Sequence, residues 1–379
     1  MKFIYLTYSS NLITTPDFVG VPNLEKLVFE HCSNLRDFHP SIGILKKLVH
    51  LNLAYCEKLS SLPSKFEMDS LKTFNLSCCV ILKKIPKFMG SMIFLDAQNL
   101  TTCLRTLGMS KIFLDAQKID NLPKNLGNVK GLKKLNLSGT AIKELPSSIE
   151  RLTNLTLLTL LKCCKLVCLP NTKCGFKFRG ALDLSRNTKF KKLPENLWII
   201  EDPEILDLSR TAIEELPIEH LTTLTLLTLK DCKNLVCLPS TICSLKLLES
   251  LDLSGCSKFD NLPENLGNVE GLQSLTDLHL IHCDLSSIPN DIGCLSSLEC
   301  LDPSRNNLVS LPESMSQLSN LRTLYLEGCK RLQSLENVPS TIDSIIAGDC
   351  ISLERLPELQ FYLSRTDFIR LRLEHFPGT

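Results

Sequence analysis

The stretch LVHLNLAYCEKLSSLP at 48–63 decides the fold, because its spacing of leucines recurs along the chain. A later copy reads LESLDLSGCSKFDNLP at 248–263. The shared pattern is LxxLxLxxCxxLxxLP, and it returns about every 23 residues, a period that indicates a solenoid of stacked repeats. Such a chain is organised by coils that contact only their neighbours.

The LxxLxL core of the motif is typical of a leucine-rich repeat and alternates with period two, as a short strand with one buried face does. One coil cannot bury its own leucines, so we expect the strands to stack. The fold class is therefore an α/β solenoid, a curved array with a parallel β-sheet on its concave face. Short helical or 3-10 turns and loops are expected on the convex face. The second leucine of the motif can be followed through Ile4, Leu27, Leu51, Phe74, Ile93, Ile112, Leu135, Leu158, Leu182, Leu206, Leu227, Leu251, Leu278, Leu301, Leu324 and Ile345.

The repeats predict one solenoid over residues 1–360, with about 16 repeats, and a C-terminal tail over 361–379. Irregular coils are expected near 90–118 and 171–205, where the spacing of the motif is disturbed. The recurrent Leu-Pro step belongs on the convex return, where a missing N–H breaks no sheet bond. Pro303 stands where a core leucine is expected, and a proline cannot donate to the ladder.

The composition argues against nucleic acid and membrane partners. The 42 basic and 41 acidic residues leave a net charge of +1, unlike a polyanion-binding protein. The apolar runs are far shorter than the roughly 18–20 residues that span a bilayer. Polar residues follow the first strand at once, so the N-terminus does not form the apolar segment of a signal peptide.

Half of the 18 cysteines share one position, the slot just after the strand. Other coils hold small or polar residues there, such as Ser9, Thr140, Asn187, Thr211 and Asn306. We expect the slot side chains to cap backbone groups in the turn. Stacked thiols favour a reducing, cytoplasmic or nucleocytoplasmic location. The slot cysteines are Cys32, Cys56, Cys79, Cys163, Cys232, Cys256, Cys283, Cys329 and Cys350.

No motif for catalysis is found. The sequence has no phosphate-binding P-loop, no HExxH and no GxSxG, so a non-enzymatic chain without cofactor is expected. His279 and His282 beside Cys283 leave a metal site open as an alternative. So does the group Cys163, Cys164, Cys168 and Cys174, although it lacks paired CxxC spacing.

The concave face remains as the candidate binding surface. Its Asn/Asp and Ser columns are interpreted as generic residues of the ladder. Positions that depart from them are better candidates, since aromatic and exposed apolar residues are enriched at interaction hot spots. The predicted protein-binding residues are Leu157, Leu161, Leu226, Lys230, His279, Ile281, Tyr325 and Glu327.

Several phrases go beyond a generic repeat: KFIYLTYSSNLITTPDF at 2–18, GTAIKELP at 139–146, LDLSGCSKF at 251–259 and LRTLYLEGC at 321–329. They resemble the leucine-rich-repeat region of plant intracellular nucleotide-binding disease resistance proteins of the Toll/interleukin-receptor type. The resemblance covers nearly the whole chain.

In that family such arrays recognise pathogen effectors or hold the nucleotide-binding switch autoinhibited. The resemblance thus implies a protein partner: an effector, a guarded host protein, or the receptor's own nucleotide-binding module. The first phrase normally lies inside the array, so we expect a partial chain that starts in mid-array. The alternative is a cytosolic leucine-rich-repeat scaffold of the Ras-pathway type, which shares the Leu-Pro return.

Overall fold

The computed structural model describes residues 1–63, 70–82, 119–120, 122–129, 131–170, 180–194, 203–218, 221–259, 262–263 and 271–355, together with the backbone of 94–96. Contacts divide the chain into unit 1, Met1–Pro203, and unit 2, Glu204–Thr379. The predicted tail at 361–379 lies outside the described residues, so the boundary at 360 stays a prediction.

Unit 1 is built on eight short parallel strands, each paired with its sequence neighbour. Three 3-10 helices, Pro40–Ile44, Leu126–Asn128 and Ser147–Arg151, lie between strands in the described coils. The strands are β1 Phe3–Tyr5, β2 Lys26–Val28, β3 His50–Asn52, β4 Thr73–Asn75, β5 Phe94–Asp96, β6 Lys134–Asn136, β7 Leu157–Thr159 and β8 Ala181–Asp183.

Unit 2 repeats this plan with seven parallel strands. Its 3-10 helices are Ser240–Ser244, Asn290–Cys294 and Glu313–Gln317, and each is preceded by a proline. The strands are β9 Ile205–Asp207, β10 Leu226–Thr228, β11 Ser250–Asp252, β12 Asp277–His279, β13 Cys300–Asp302, β14 Thr323–Tyr325 and β15 Ser344–Ile346.

The predicted leucine-rich-repeat fold is confirmed: parallel strands form one side of the coils, and short 3-10 turns follow Leu-Pro or Ile-Pro on the return. The core is a stack of aliphatic side chains. Leu48, Leu51 and Leu53 of one coil are all fully buried. Burial of each such side chain stabilises the fold by about 1.5–3 kcal/mol, which only a neighbouring coil makes possible.

The register of one strand was predicted wrongly. The central residue of β5 is Leu95, which pairs with Phe74 and Leu135, rather than Ile93. The apolar run at 92–95 permits both registers. Asp96 marks the correct one, because it stands level with Asn75 at a position that other coils fill with Asn or Asp. The strand predicted at Ile112 lies outside the described residues; the other fourteen central residues are confirmed.

Pro303 interrupts the ladder as its missing N–H requires. In the preceding coil, the N–H of Leu280 donates to the carbonyl of Asp302 at 2.8 Å. Pro303 cannot make the equivalent bond. Strands β13 and β14 accordingly share two aligned pairs, whereas β12 and β13 share three.

Candidate protein-binding face

The turn after each strand is fastened by the slot residue. All nine slot cysteines donate their thiol to the carbonyl of the preceding coil, at 2.8 to 3.3 Å. Asn187 and Asn306 make the equivalent bond through Nδ2, at 3.0 and 2.7 Å. The predicted capping role of the slot is confirmed.

Burial keeps the slot thiols protonated. It raises the pKa of Cys79 and of Cys163 to about 12, although hydrogen bonds from the turn oppose the rise. A thiol must ionise to act as a nucleophile or a metal ligand. These cysteines therefore serve the turns, and they are free thiols in the structure.

The residue just before the slot adopts a left-handed backbone conformation, which the sequence analysis missed. Its N–H extends the ladder by bonding the next coil, as His31 does to the carbonyl of Ala54 at 2.9 Å. The recurrent glycine at this place was the available signal. The position is occupied by Tyr8, His31, Tyr55, Cys78, Gly139, Lys162 and Arg186 in unit 1 and by Arg210, Asp231, Gly255, His282, Arg305, Gly328 and Asp349 in unit 2.

Three of these left-handed residues form a stack of rings in unit 1. His31 lies between Tyr8 and Tyr55, with ring centroids 4.5 and 4.2 Å apart and nearly parallel planes. Stacked rings stabilise by about 0.5–1.5 kcal/mol per pair. This contribution offsets the strain of a non-glycine residue in the left-handed region.

The outward face of the strands carries the predicted binding residues. Strands alternate a buried central residue with half-buried flanking ones, as β7 and β10 do. The predicted outward placement is therefore observed for all eight candidates. Leu157, Leu161, Leu226, His279, Ile281 and Tyr325 are half-buried, and Lys230 and Glu327 are exposed.

The structure places these candidates in two groups. Leu157 and Leu161 lie on β7 and its turn in unit 1, and the other six lie in unit 2. Their joint action in one contact surface stays a prediction. Residues 171–179, which follow this coil, lie outside the described residues.

The last residue of many strands folds its side chain back onto the turn. The Oδ1 atom of Asn52 accepts from the N–H of Ala54 at 3.0 Å, and Oδ1 of Asp252 accepts from the N–H of Ser254 at 2.8 Å. This bond to the turn explains why the Asn/Asp column recurs as a generic feature of the repeats. The same bond is made by Asn75, Asn136 and Asp183 in unit 1 and by Asp207 and Asp302 in unit 2.

Within the described residues, no group of three or more His, Cys, Asp or Glu is placed to hold a metal ion. His279 and His282 lie on a strand and in its turn, so alternation separates them. Cys174 lies outside the described residues. No helix in the part of the chain that the structure describes is long and apolar enough to cross a membrane.

Comparison with known proteins agrees with this architecture. A family model described as a leucine-rich repeat region matches residues 244–370. The chain is 31% identical over 349 residues to the TMV resistance protein N of Nicotiana glutinosa, covering 91% of this chain and 25% of that protein. It is 32% identical to the disease resistance-like protein DSC1 of Arabidopsis thaliana, covering 94% and 24%.

The chain is a leucine-rich-repeat region of the kind found in plant disease resistance proteins. It spans about a quarter of the length of these two relatives. Among solved structures, the Drosophila Toll–Spätzle complex matches with a TM-score of 0.51 and 16% identity, covering 89% of this chain and 52% of that one. At that identity the match bears on the fold alone.

Proposed function

We propose that this leucine-rich-repeat region is a non-enzymatic recognition module of plant immunity that binds a protein through the outward face of its strands. One observation carries the proposal. Leu157 and Leu226 occupy outward strand positions beside the fully buried Leu158 and Leu227. A half-exposed leucine adds nothing to the ladder, whereas apolar side chains on a polar face are typical of a binding surface.

The partner belongs to one of three classes: a pathogen effector, a guarded host protein, or the nucleotide-binding module of the same receptor. The similarity to disease resistance proteins supports each of them. Effector sensing and autoinhibition are the two roles in question. The buried slot thiols support a reducing, cytoplasmic location, because they act as protonated donors.

The test separates binding from folding on one strand. Leu226→Ser should reduce partner capture at least tenfold, an effect of about 1.4 kcal/mol. Its free energy of unfolding should fall by less than about 1 kcal/mol, as for an ordinary surface change. The core variant Leu227→Ala should lose about 2–5 kcal/mol. Capture is measured by quantitative co-precipitation from plant cell extract, and stability by urea unfolding.

Val236→Ser provides the matched surface control, since Val236 is an exposed aliphatic residue outside the strands. It should retain the proteins that wild type captures. Equal capture by Leu226→Ser and wild type would contradict the proposal. A loss of stability on Leu226→Ser as large as that of Leu227→Ala would assign Leu226 to the core instead.

A further inference from the structure

The outward face of unit 2 is much more acidic than that of unit 1. We count the outward strand positions, the outward turn position that follows, and the residue just before each strand. In unit 1 these positions hold the bases Lys2, Lys26, Lys72, Lys133 and Lys134 and the acids Glu25, Glu30, Asp96 and Asp183. In described unit 2 they hold the acids Glu204, Asp207, Glu249, Asp252, Asp277, Glu299, Asp302, Glu327 and Asp343 and the bases Lys230 and Arg322.

The carboxylates at the strand ends of unit 2 exceed what the fold needs. Asp252 bonds the turn through one oxygen at 2.8 Å, and Asn136 in unit 1 makes the same bond through its amide oxygen at 3.0 Å. An amide therefore supplies the required acceptor without charge. The negative charge of Asp207, Asp252 and Asp302 leaves a second oxygen of each carboxylate for another donor.

The described part of unit 2 does not neutralise this charge. Its ion pairs join Arg210 to Asp231, Arg322 to Asp343 and Arg355 to Glu336, and none of them involves the aspartates at the strand ends. Two of these carboxylates also affect the pKa of a thiol on the same face. The pKa of Cys300 is raised to about 11, mainly by burial and in addition by the carboxylates of Asp277 and Asp302.

A buried hydroxyl in the same face lacks a partner. Ser254 follows Asp252 at the outward turn position, and only 3% of its surface is exposed. Its Oγ atom has no hydrogen-bond partner, whereas Oγ of Ser138 in unit 1 bonds Asn136 at 2.7 Å. A buried polar atom without a partner costs about 1–3 kcal/mol, so the turn after Asp252 is less fully satisfied than the turn after Asn136.

We propose that this acidic face of unit 2, defined by Asp207, Asp252, Asp277, Asp302 and Glu327, docks a lysine- and arginine-rich segment of a protein partner. The inference rests on the proposed function and names the chemistry of the partner. Ammonium and guanidinium groups carry several donors and no acceptor, so they fit a row of carboxylates with free oxygens. Complementary charge of this kind fixes the partner and accelerates encounter.

The test uses the full chain and a labelled oligolysine peptide, with oligoglutamate as the opposite probe. The face variant is Asp207→Asn, Asp252→Asn and Asp302→Asn together, which keeps the bonds to the turn. The control variant, Asp291→Asn, Glu313→Gln and Glu354→Gln, removes the same charge from sites outside the strands, of which Glu313 and Glu354 are exposed and Asp291 is half-buried. Affinity is measured by fluorescence anisotropy at several salt concentrations.

We expect the face variant to bind oligolysine about tenfold more weakly, since three screened charge contacts are lost. The control variant should lose less than about twofold. Oligoglutamate should bind none of them. Equal affinity of the face and control variants would overturn the proposal.

Co-precipitation separates this inference from the proposed function. If Leu226→Ser abolishes partner capture while the face variant retains it, the recognition function stands and the charge inference fails. If neither variant changes capture, the recognition function itself fails. A partner that is lost by both variants and carries a lysine- and arginine-rich segment supports both proposals.

Discussion

Units 1 and 2 fasten the ends of their strands with the same bond, but they make it with different residues. In unit 1 the acceptor is an amide at Asn52, Asn75 and Asn136 and a carboxylate at Asp183. In unit 2 it is a carboxylate at Asp207 and Asp252, with the same distance of 2.8 Å in both. The fold thus requires an acceptor oxygen at this position but does not require a charged group. Charge at this column is therefore a property of the surface, which each unit sets separately.

The left-handed position before the slot differs in the same way. Unit 1 stacks His31 between two tyrosine rings. Unit 2 pairs Arg210 with Asp231 at 2.8 Å and leaves the neighbouring coil with Gly255. A Cβ atom at Gly255 would lie 2.3 Å from Oδ1 of Asp231. One backbone geometry thus carries an aromatic surface in one unit and an ionic one in the other.

The largest effect is expected where the two units use asparagine in the slot. Asn306 in unit 2 donates to three carbonyls and accepts from the N–H groups of Cys283 and Leu285. Asn187 in unit 1 donates to two carbonyls, and its Oδ1 has no partner. Asn306→Ala should lower the free energy of unfolding by about 3 kcal/mol or more, because several buried backbone groups lose their partners.

Asn187→Ala should lower the free energy of unfolding by about 1–2 kcal/mol less than Asn306→Ala, since it leaves no backbone N–H without its acceptor. Urea unfolding of both variants measures the difference. Equal losses would show that the additional bonds of Asn306 add nothing to stability.

The sequence predicted the coils better than the surface. Leucine spacing fixed fourteen strand centres, because a core position tolerates only aliphatic or aromatic side chains. It failed at Ile93, because Ile93 and Leu95 stand two residues apart in an apolar run and alternation with period two cannot distinguish them. Treating the Asn/Asp column as uniform also hid the contrast between Asn136 and Asp252, which are equivalent for the backbone and opposite for a partner. The left-handed ring stack depends on contacts between coils that no local pattern contains.

A smaller effect is expected at the stack in unit 1. His31→Ala removes both ring contacts and keeps a left-handed non-glycine residue, so it should destabilise by about 1–2 kcal/mol. His31→Gly removes the same contacts but relieves the backbone strain, so it should be more stable than His31→Ala by about 1 kcal/mol. Thermal unfolding of the two variants compares them. If alanine is the more stable variant, the positive φ of 60° at His31 stores no strain.

The smallest effect concerns a histidine and a lysine on the outward face of unit 1. Burial and then the charge of Lys26 lower the pKa of His50, whose Nδ1 is hydrogen-bonded to Oγ1 of Thr73. The folded pKa lies below the unfolded value of about 6.5, so the contribution of His50 is present above that pH. It is lost as the pH falls from there through the folded pKa.

Lys26→Gln should raise the pKa of His50 towards its ordinary value, which NMR titration of the imidazole measures. Lys230→Gln is the control, because Lys230 lies in unit 2 and does not contribute to the lowered pKa of His50. An unchanged pKa of His50 in Lys26→Gln would show that the charge of Lys26 does not lower it.

The most direct test asks whether unit 2 needs its carboxylates in order to fold. Urea unfolding at pH 7 should be compared for wild type and two triple variants. The asparagine variant combines Asp207→Asn, Asp252→Asn and Asp302→Asn, and the alanine variant changes the same three residues to alanine. The asparagine variant should unfold at the wild-type urea concentration or above it. The alanine variant should lose about 0.5–1.5 kcal/mol for each missing bond to the turn. An asparagine variant as unstable as the alanine variant would contradict the account, because the charge would then serve the fold rather than a partner.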